Sequence, residues 1–320
     1  MHNIWLVVPC FNEEEIILKT AECTKKLMYA LIDAGKISKK SRICFVNDGS
    51  TDSTYEKIID LCKQDKIFAC VNLSRNRGHQ NALLAGLTVA KKYADAVISM
   101  DADLQDDINV IEDFVDKFNE GNDIVYGVRC DRTNDTFFKK FSAESFYKFM
   151  KLMGVDLVYN HADYRLMSKR ALEGLSEFDE VNAFLRGIVP QIGYKSATVE
   201  YVRGKREAGK TKYGIRKMVS FAMEGITSFS VRPLKLAIAL GFISFLVSIG
   251  MLFYCIYEHM IGNTVSGWAS LGVSIWATGG LQMLMLGVLG EYVGKIYLET
   301  KHRPKFIIES VTLAEEVGDE

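Results

Sequence analysis

Asp101-Ala102-Asp103 carries the most pointed chemistry in the chain. Side chains two apart in an extended segment point the same way, so both carboxylates can face one ligand. Hard oxygen donors of this kind suit Mg²⁺ or Mn²⁺, either of which also binds a diphosphate. Gln105, Asp106 and Asp107 follow, and the last two have a rival role as caps of the next helix. Asp48 lies in Val46-Asn47-Asp48-Gly49-Ser50-Thr51-Asp52-Ser53-Thr54. Its carboxylate can accept hydrogen bonds from a base or a ribose, and Gly49 lets the chain turn sharply beside it. Asp52 or Ser53 is the expected cap of the helix that follows. Pro9, Phe11, Asn12 and Glu13 form an earlier turn, in which the Phe11 ring either packs on a base or belongs to the core. In 74–81, Arg75, Arg77 or the helix N-terminus can meet phosphate. His79 there reads as a structural hydrogen-bonder more than as a ligand. Arg129 and the segment Arg206-Glu207-Ala208-Gly209-Lys210-Thr211-Lys212-Tyr213 add further cations.

The elements that must position these residues follow from periodicity. Short apolar runs predict strands at 4–8, 42–47, 68–73, 96–100 and 123–127, with helical patterns at 13–32, 53–63, 81–92 and 108–119 between them. Strands alternating with helices predict an α/β domain with a mostly parallel sheet covered on both faces. Ligands of such sheets bind beyond the carboxyl ends of the strands, which is where Asn12-Glu13, Asp48-Gly49-Ser50 and Asp101 with Asp103 fall. Beyond residue 135 the pattern is less regular, with a helical stretch near 137–153 and a mixed segment containing Asp163-Tyr164-Arg165-Leu166.

The formal net charge of -1 argues against a nucleic-acid partner, which demands a basic excess. Apolar residues, by contrast, are concentrated late in the chain. Segments 236–257 and 261–290 hold no charged side chain, and each reaches the roughly 20 residues that span a bilayer as a helix. They predict two transmembrane helices, with buried core helices as the alternative. Basic residues precede the first run and follow the second, while 258–267 contains neither Lys nor Arg, so both ends are expected in the cytosol. Residues 215–230 fit an amphipathic helix in the membrane surface, or else an ordinary surface helix. The seven cysteines form no C-x-x-C pair, and the chain opens on a strand pattern rather than a leader, which fits a cytosolic N-terminal region. The acidic end, 309–320, is expected to be loosely ordered.

Taken in order, these blocks resemble family 2 glycosyltransferases of the GT-A fold, in the branch that uses polyisoprenyl phosphates. The resemblance rests on residues 7–14, 46–52 and 100–107, and extends through Tyr126-Gly127-Val128-Arg129, Asp163-Tyr164-Arg165-Leu166, Phe184-Leu185-Arg186-Gly187, 206–213 and Gly290-Glu291-Tyr292-Val293-Gly294-Lys295. It implies a Rossmann-like catalytic domain at 1–212, a juxtamembrane helix at 213–232, two transmembrane helices within 233–298 and a cytosolic tail at 299–320. It also implies roles. Pro9, Phe11, Glu13 and Asp48 would hold the nucleoside. Asp101, Asp103 and Gln105 would hold Mg²⁺ or Mn²⁺ and the donor phosphates, with Ala102 among the substrate-binding positions. Arg129, Arg186, Arg206 and Lys212 would meet phosphates of donor or acceptor. Asp103 and Asp163 would be the catalytic carboxylates, Asp163 as a base or as a sugar-positioning group. The implied reaction moves a hexose from UDP-glucose or UDP-N-acetylglucosamine to undecaprenyl phosphate with inversion, in the plasma membrane, making a lipid-linked donor for cell-envelope glycosylation. Another lipid acceptor, or a nucleotide-sugar-binding scaffold without turnover, is the alternative. None of the three tryptophans (Trp5, Trp268, Trp276) belongs to a Q-x-x-R-W motif, which disfavours polymer synthesis. Gly287, Gly290 and Gly294 permit close helix packing, and with it a homo-oligomer.

Overall fold

A computed structural model describes residues 1–129, 161–180, 184–202, 204, 226–227, 230–261 and 267–313. They fall into two compact units, a sheet with its helices and a pair of long helices. In chain order the first unit comprises β1 (Ile4–Cys10), α1 (Ile17–Asp33), β2 (Arg42–Asn47), α2 (Thr54–Gln64), β3 (Phe68–Leu73), α3 (His79–Ala90), β4 (Ala96–Ser99), α4 (Val110–Asn119), β5 (Ile124–Arg129), β6 (His161–Ser168), α5 (Lys169–Ser176), α6 (Leu185–Gln191), β7 (Ser196–Tyr201) and β8 (Ile308–Leu313). The second holds α7 (Arg232–Met260) and α8 (Trp268–Thr300).

The strands form one sheet in the order β7-β5-β6-β4-β1-β2-β3-β8. Its centre, β4-β1-β2-β3, is parallel, while β6 and β8 run antiparallel to their neighbours. Every residue of β1 and β3 is buried, as expected of parallel strands covered on both faces. The chain moves from β1 outward to β2 and β3 and then returns to the other side of β1 with β4. The carboxyl ends of β1 and β4 therefore flank a topological switch point, where the sheet opens a crevice. Helix α3 lies against this centre because Gly86 has no side chain. A Cβ there would sit 2.5 Å from Val7 Cγ1 and 2.6 Å from Val46 Cγ2.

Several expectations need adjusting. Helix α3 starts two residues earlier than its apolar pattern, after Gly78 at a φ of 85°, and this puts His79 in its first turn. The mixed segment around Asp163 is a strand, β6, inserted antiparallel between β4 and β5. The end of the chain is ordered over Ile308–Leu313, where β8 completes the sheet against β3. Arg206, Lys212, the helical stretch near 137–153, most of the amphipathic segment 215–230 and residues 314–320 lie outside the described residues.

Among the described residues one helical stretch, Arg232–Tyr254 of α7, is long and apolar enough to cross a membrane. Its large apolar side chains, among them Phe242, Phe245 and Phe253, face outward. Helix α8 likewise exposes Trp276, Met283 and Leu286.

Candidate active site

The turn after β1 is built by exchanging hydrogen bonds with the loop after β2. Asn12 N donates to Ser50 Oγ at 3.1 Å, Thr51 N returns a bond to Asn12 Oδ1 at 2.9 Å, and Glu13 N donates to Thr54 Oγ1 at 2.9 Å. Asn12 itself is left-handed, at a φ of 54°, a conformation Asn tolerates better than most residues. Phe11 is exposed, so the core alternative for its ring drops away. Pro9 is a buried strand residue that faces Val46 in register. At the start of α2, Ser53 occupies the cap position but Asp52 Oδ1 takes the Thr54 amide, at 3.0 Å.

Asp48 is buried and holds the loop after β3. Arg77 N donates to its Oδ1 at 2.7 Å and Gly78 N to its Oδ2 at 2.9 Å. Burial raises its pKa, while those two amides and His79 pull the other way. The carboxylate expected to accept from a base or ribose is thus also the brace of the α3 entry. Gly49 makes the approach possible, since at its φ of 65° a Cβ would lie 2.6 Å from the backbone of Arg75 and of Asn76.

Across the switch point, β4 ends at Ser99, and Asp101, Ala102 and Asp103 follow it in a turn rather than in the extended segment expected of them. Thr20 Oγ1 anchors the loop by donating to Ala102 O at 2.7 Å, and Gln105 N donates to Asp103 Oδ1 at 3.2 Å. Leu104 between them is left-handed, at a φ of 51°, a strained state for a branched side chain that gathers Asp103 and Gln105 on one tight turn. The imidazole of His79 reaches Asp101, Nε2 to Oδ1 at 3.4 Å. Burial pushes the Asp101 carboxyl up, His79 opposes this, and Asp106, Asp163 and Asp103 push it further. Four carboxylates thus crowd one end of the sheet. Asp106 and Asp107 divide their expected roles. Asp107 Oδ1 takes the amide of Asn109 at the entry to α4, at 3.0 Å. Asp106 instead accepts from Tyr201 Oη at 2.6 Å and from Arg129 Nη2 at 3.2 Å. Arg129 also donates from Nε to Tyr201 Oη at 3.0 Å, so it is bound into the wall beside the acidic loop.

Asp163 is buried and encircled by donors. Arg165 Nη2 approaches Oδ1 at 2.6 Å, Arg186 Nη2 and Gln80 Nε2 approach Oδ2 at 3.0 and 3.1 Å, and Arg186 Nε lies 3.3 Å from Oδ1. Burial would raise its pKa, but the charges of Arg186 and Arg165 outweigh burial and hold the carboxyl well below the usual carboxylate range. Arg165 is itself almost fully buried. The structure therefore brings Asp101, Asp103, Asp163 and Arg186 to one end of the sheet and adds His79, Gln80, Arg165 and Tyr201, to which the sequence had given no ligand-side role. Arg165 was within reach of the same rule that found Asp101 and Asp103, since it lies two residues from Asp163 in a strand. The chain after β7 also arrives here, with Gly204 N donating to Gln105 O at 2.8 Å.

Asp101, Asp103 and the arginine-bound Asp163 thus lie together at the switch point of a doubly wound sheet, as the GT-A resemblance implies. The chain matches the family described as Glycosyl transferase family 2 over residues 5–176, and it belongs to that family. It is 51% identical over 304 residues to an uncharacterized glycosyltransferase, YkoT, of Bacillus subtilis (strain 168), covering 95% of this chain and 90% of that one. It is 42% identical to a prophage bactoprenol glucosyl transferase homolog of Escherichia coli (strain K12), covering 97% and 99% of the two chains. With a bactoprenol glucosyl transferase of Shigella phage SfV it shares 41% identity over 96% and 98%.

Proposed function

We propose that this enzyme transfers one hexosyl group from a nucleotide sugar, UDP-glucose or UDP-N-acetylglucosamine, to undecaprenyl phosphate, with inversion and with a divalent cation. The observation that carries the reading is the state of Asp163. A hydroxyl acceptor needs a base to take its proton as the bond forms, and a carboxylate clamped by Arg165 and Arg186 is a poor one. A phosphate monoester needs none, because its second pKa is about 6. The relatives named for bactoprenol glucosyl transfer, aligned over nearly their whole lengths, support the same acceptor.

The donor set fits Mg²⁺ or Mn²⁺. Asp101 and Asp103 present hard oxygens amid surplus negative charge, and among the described residues no third His, Cys, Asp or Glu completes an all-protein cage with them. Such a pair leaves coordination positions for phosphate and water. When bound, the cation would neutralise the leaving diphosphate. Asp101 and Asp103, with Gln105 on the same turn, would hold it. Phe11, Glu13 and the 48–51 loop would receive the nucleoside, and Asp163 would orient the hexose. Arg186, with Arg206 and Lys212 from the basic segment, would offset the repulsion between acceptor phosphate and donor.

We place residues 1–212 in the cytosol as the catalytic domain, 213–232 on the membrane surface and two spanning helices within 233–298, with the tail back in the cytosol. Support for the second span comes from β8. Strands β3 and β8 lie in one sheet, so any bilayer crossings by the chain between them come in pairs. If α7 crosses, a return is required, and α8 is the long helix that follows it. Gly287, Gly290 and Gly294 leave open space on α8 where a second copy would pack. A cysteine at position 263 should then react with an impermeant thiol reagent on intact cells, and one at 301 should not. The reverse pattern would overturn the orientation. The direct test of function is a donor screen with undecaprenyl phosphate, reading the glycolipid by mass. Hexosyl-phosphoryl-undecaprenol from one donor is the expected product. Release of nucleotide without any such lipid, whatever the donor, would overturn the acceptor.

A further inference from the structure

We infer that Glu309, on the strand that returns after the helical pair, is a positioning residue for the nucleotide half of the site. The inference rests on the nucleotide-sugar reading above. Pairing of β8 with β3 shifts register between Asn72, which faces Ser310, and Leu73, which faces Ile308. Glu309 is the extra residue of that bulge, and bulges re-aim side chains. Its Oε2 accepts from Asn72 Nδ2 at 2.8 Å. Asn72 Oδ1 accepts from Asn47 Nδ2 at 2.7 Å, and Asn47 Oδ1 accepts from Ser50 N at 3.2 Å. Ser50 Oγ in turn receives Asn12 N, at 3.1 Å. Every donor in this series points toward Glu309.

The direction matters because Asn47 and Asn72 are both buried. A carboxamide has one accepting and one donating end, and an ionised carboxylate accepts only. Glu309 thereby fixes which way Asn72 faces, Asn72 fixes Asn47, and Asn47 presents its oxygen to Ser50 N at the turn beside Asp48. Without an acceptor at 309, both carboxamides lose their imposed sense, and the 50–51 turn and the Asn12 turn lose their common anchor. The strands themselves are joined by backbone bonds and do not depend on this side chain.

The test uses the full-length, detergent-purified chain and three probes, UDP, GDP and dTDP, each with Mg²⁺. Glu309→Met should weaken binding of the nucleotide that the wild type prefers, and raise the donor KM, by about tenfold, the equivalent of one well-placed hydrogen bond. The lipid KM and kcat should stay within about twofold. Glu309→Gln can still accept from Asn72 but no longer excludes the reversed sense, so it should weaken binding by about threefold, less than Glu309→Met. Asn72→Asp sets a second carboxylate against Glu309 and should weaken binding at least as much, without touching β8. Combining Asn72→Asp with Glu309→Gln supplies a donor for the new carboxylate and should restore affinity. Wild-type affinity in Glu309→Met, or failure of the double variant to recover while its thermal midpoint matches that of Glu309→Gln, would overturn the inference alone. A wild type that binds none of the three nucleotides would overturn the donor reading, and this inference with it.

Discussion

The two banks of the switch point are held in different ways. On the β1–β2–β3 bank, the Asn12 turn, the 48–54 loop and the α3 entry are joined largely by hydrogen bonds from amides and hydroxyls, and the buried carboxylate of Asp48 is answered by two backbone amides. On the β4–β6 bank, carboxylates at 101, 103, 106 and 163 act on one another, and Arg129, Arg165, Arg186 and His79 answer them. The first bank is complete as it stands and suits a neutral, planar ligand whose shape and donor pattern matter. The second is a cluster of mutually repelling carboxylates held by neighbouring cations, and under the proposed reaction it would meet the cation and the phosphates. The two banks therefore respond differently to substitution. Under the proposed function, neutral exchanges on the first should loosen binding of one substrate, whereas charge removal on the second should stop chemistry or unfold the chain.

Asp103→Asn is the most damaging exchange for turnover. Replacing a carboxylate that would hold the cation with a neutral amide should lower kcat on the order of 10³-fold, with an unchanged thermal midpoint and near-normal nucleotide affinity. EDTA should silence the wild type equally. Activity of the variant near wild type, or in excess EDTA, would remove the cation from the scheme. Next comes stability. Arg165→Met strips the buried Asp163 of its shortest ion pair, and breaking one side of such a pair costs about 3–5 kcal/mol. Urea unfolding should register that loss, and a second change, Asp163→Asn, should recover part of it. Additive losses in the double variant would mean the pair is not coupled.

Asp163 also separates the two banks by pH. Its folded pKa is depressed, so its contribution to stability is fully present above its ordinary value of about 4 and is lost only as pH falls below that. Thermal midpoints of the wild type and Asp163→Asn should differ at neutral pH and converge in acid. With its pKa held that low, Asp163 should not titrate between pH 5 and 8, and under the proposed reaction any rate limb there would belong to other groups, the acceptor phosphate among them. Asp163→Asn should therefore lose about 10- to 100-fold in kcat through misplacement while keeping the shape of the wild-type pH–rate profile. Disappearance of an ionisation between pH 5 and 8 in the variant would make Asp163 a base after all.

Much of the loop framework on both banks was legible in sequence because its parts are local. Apolar runs end in Asn12-Glu13, Asp48-Gly49 and Asp101-Ala102-Asp103, and strand ends in an alternating α/β pattern converge on one edge. Asp163 and Arg186 came only from resemblance, since β6 pairs antiparallel with β4 across more than 60 positions and nothing in its short pattern announces that partner. His79 was read as a structural hydrogen-bonder because a lone histidine usually is one, and nothing in its own segment names Asp101 as the group its ring reaches. Strand β8 was missed for a different reason. Its run, Ile308-Glu309-Ser310-Val311-Thr312-Leu313, sits in an acidic terminus, and the strand whose open side it covers, β3, lies more than 200 residues away. Composition sees the charges and cannot see the edge.

The smallest effect expected is at Asn12, where conformation and hydrogen bonding can be pulled apart. Asn12 does two things, holding a left-handed φ of 54° and offering Oδ1 to Thr51 N. Glycine adopts the left-handed state at no steric cost but has no acceptor. Aspartate keeps the acceptor and tolerates the conformation, and alanine supplies neither. If the amide lattice of the first bank works by fixing the turn, donor KM should stay near wild type in Asn12→Asp and rise about threefold in Asn12→Gly. In Asn12→Ala, where roughly 1–2 kcal/mol of backbone cost is added, it should rise about tenfold. The lipid KM and the cation requirement should not move, because both belong to the other bank. Equal donor KM in the Gly and Ala variants would assign the whole effect to the lost acceptor. A change in cation requirement would mean that the two banks are coupled rather than separately built.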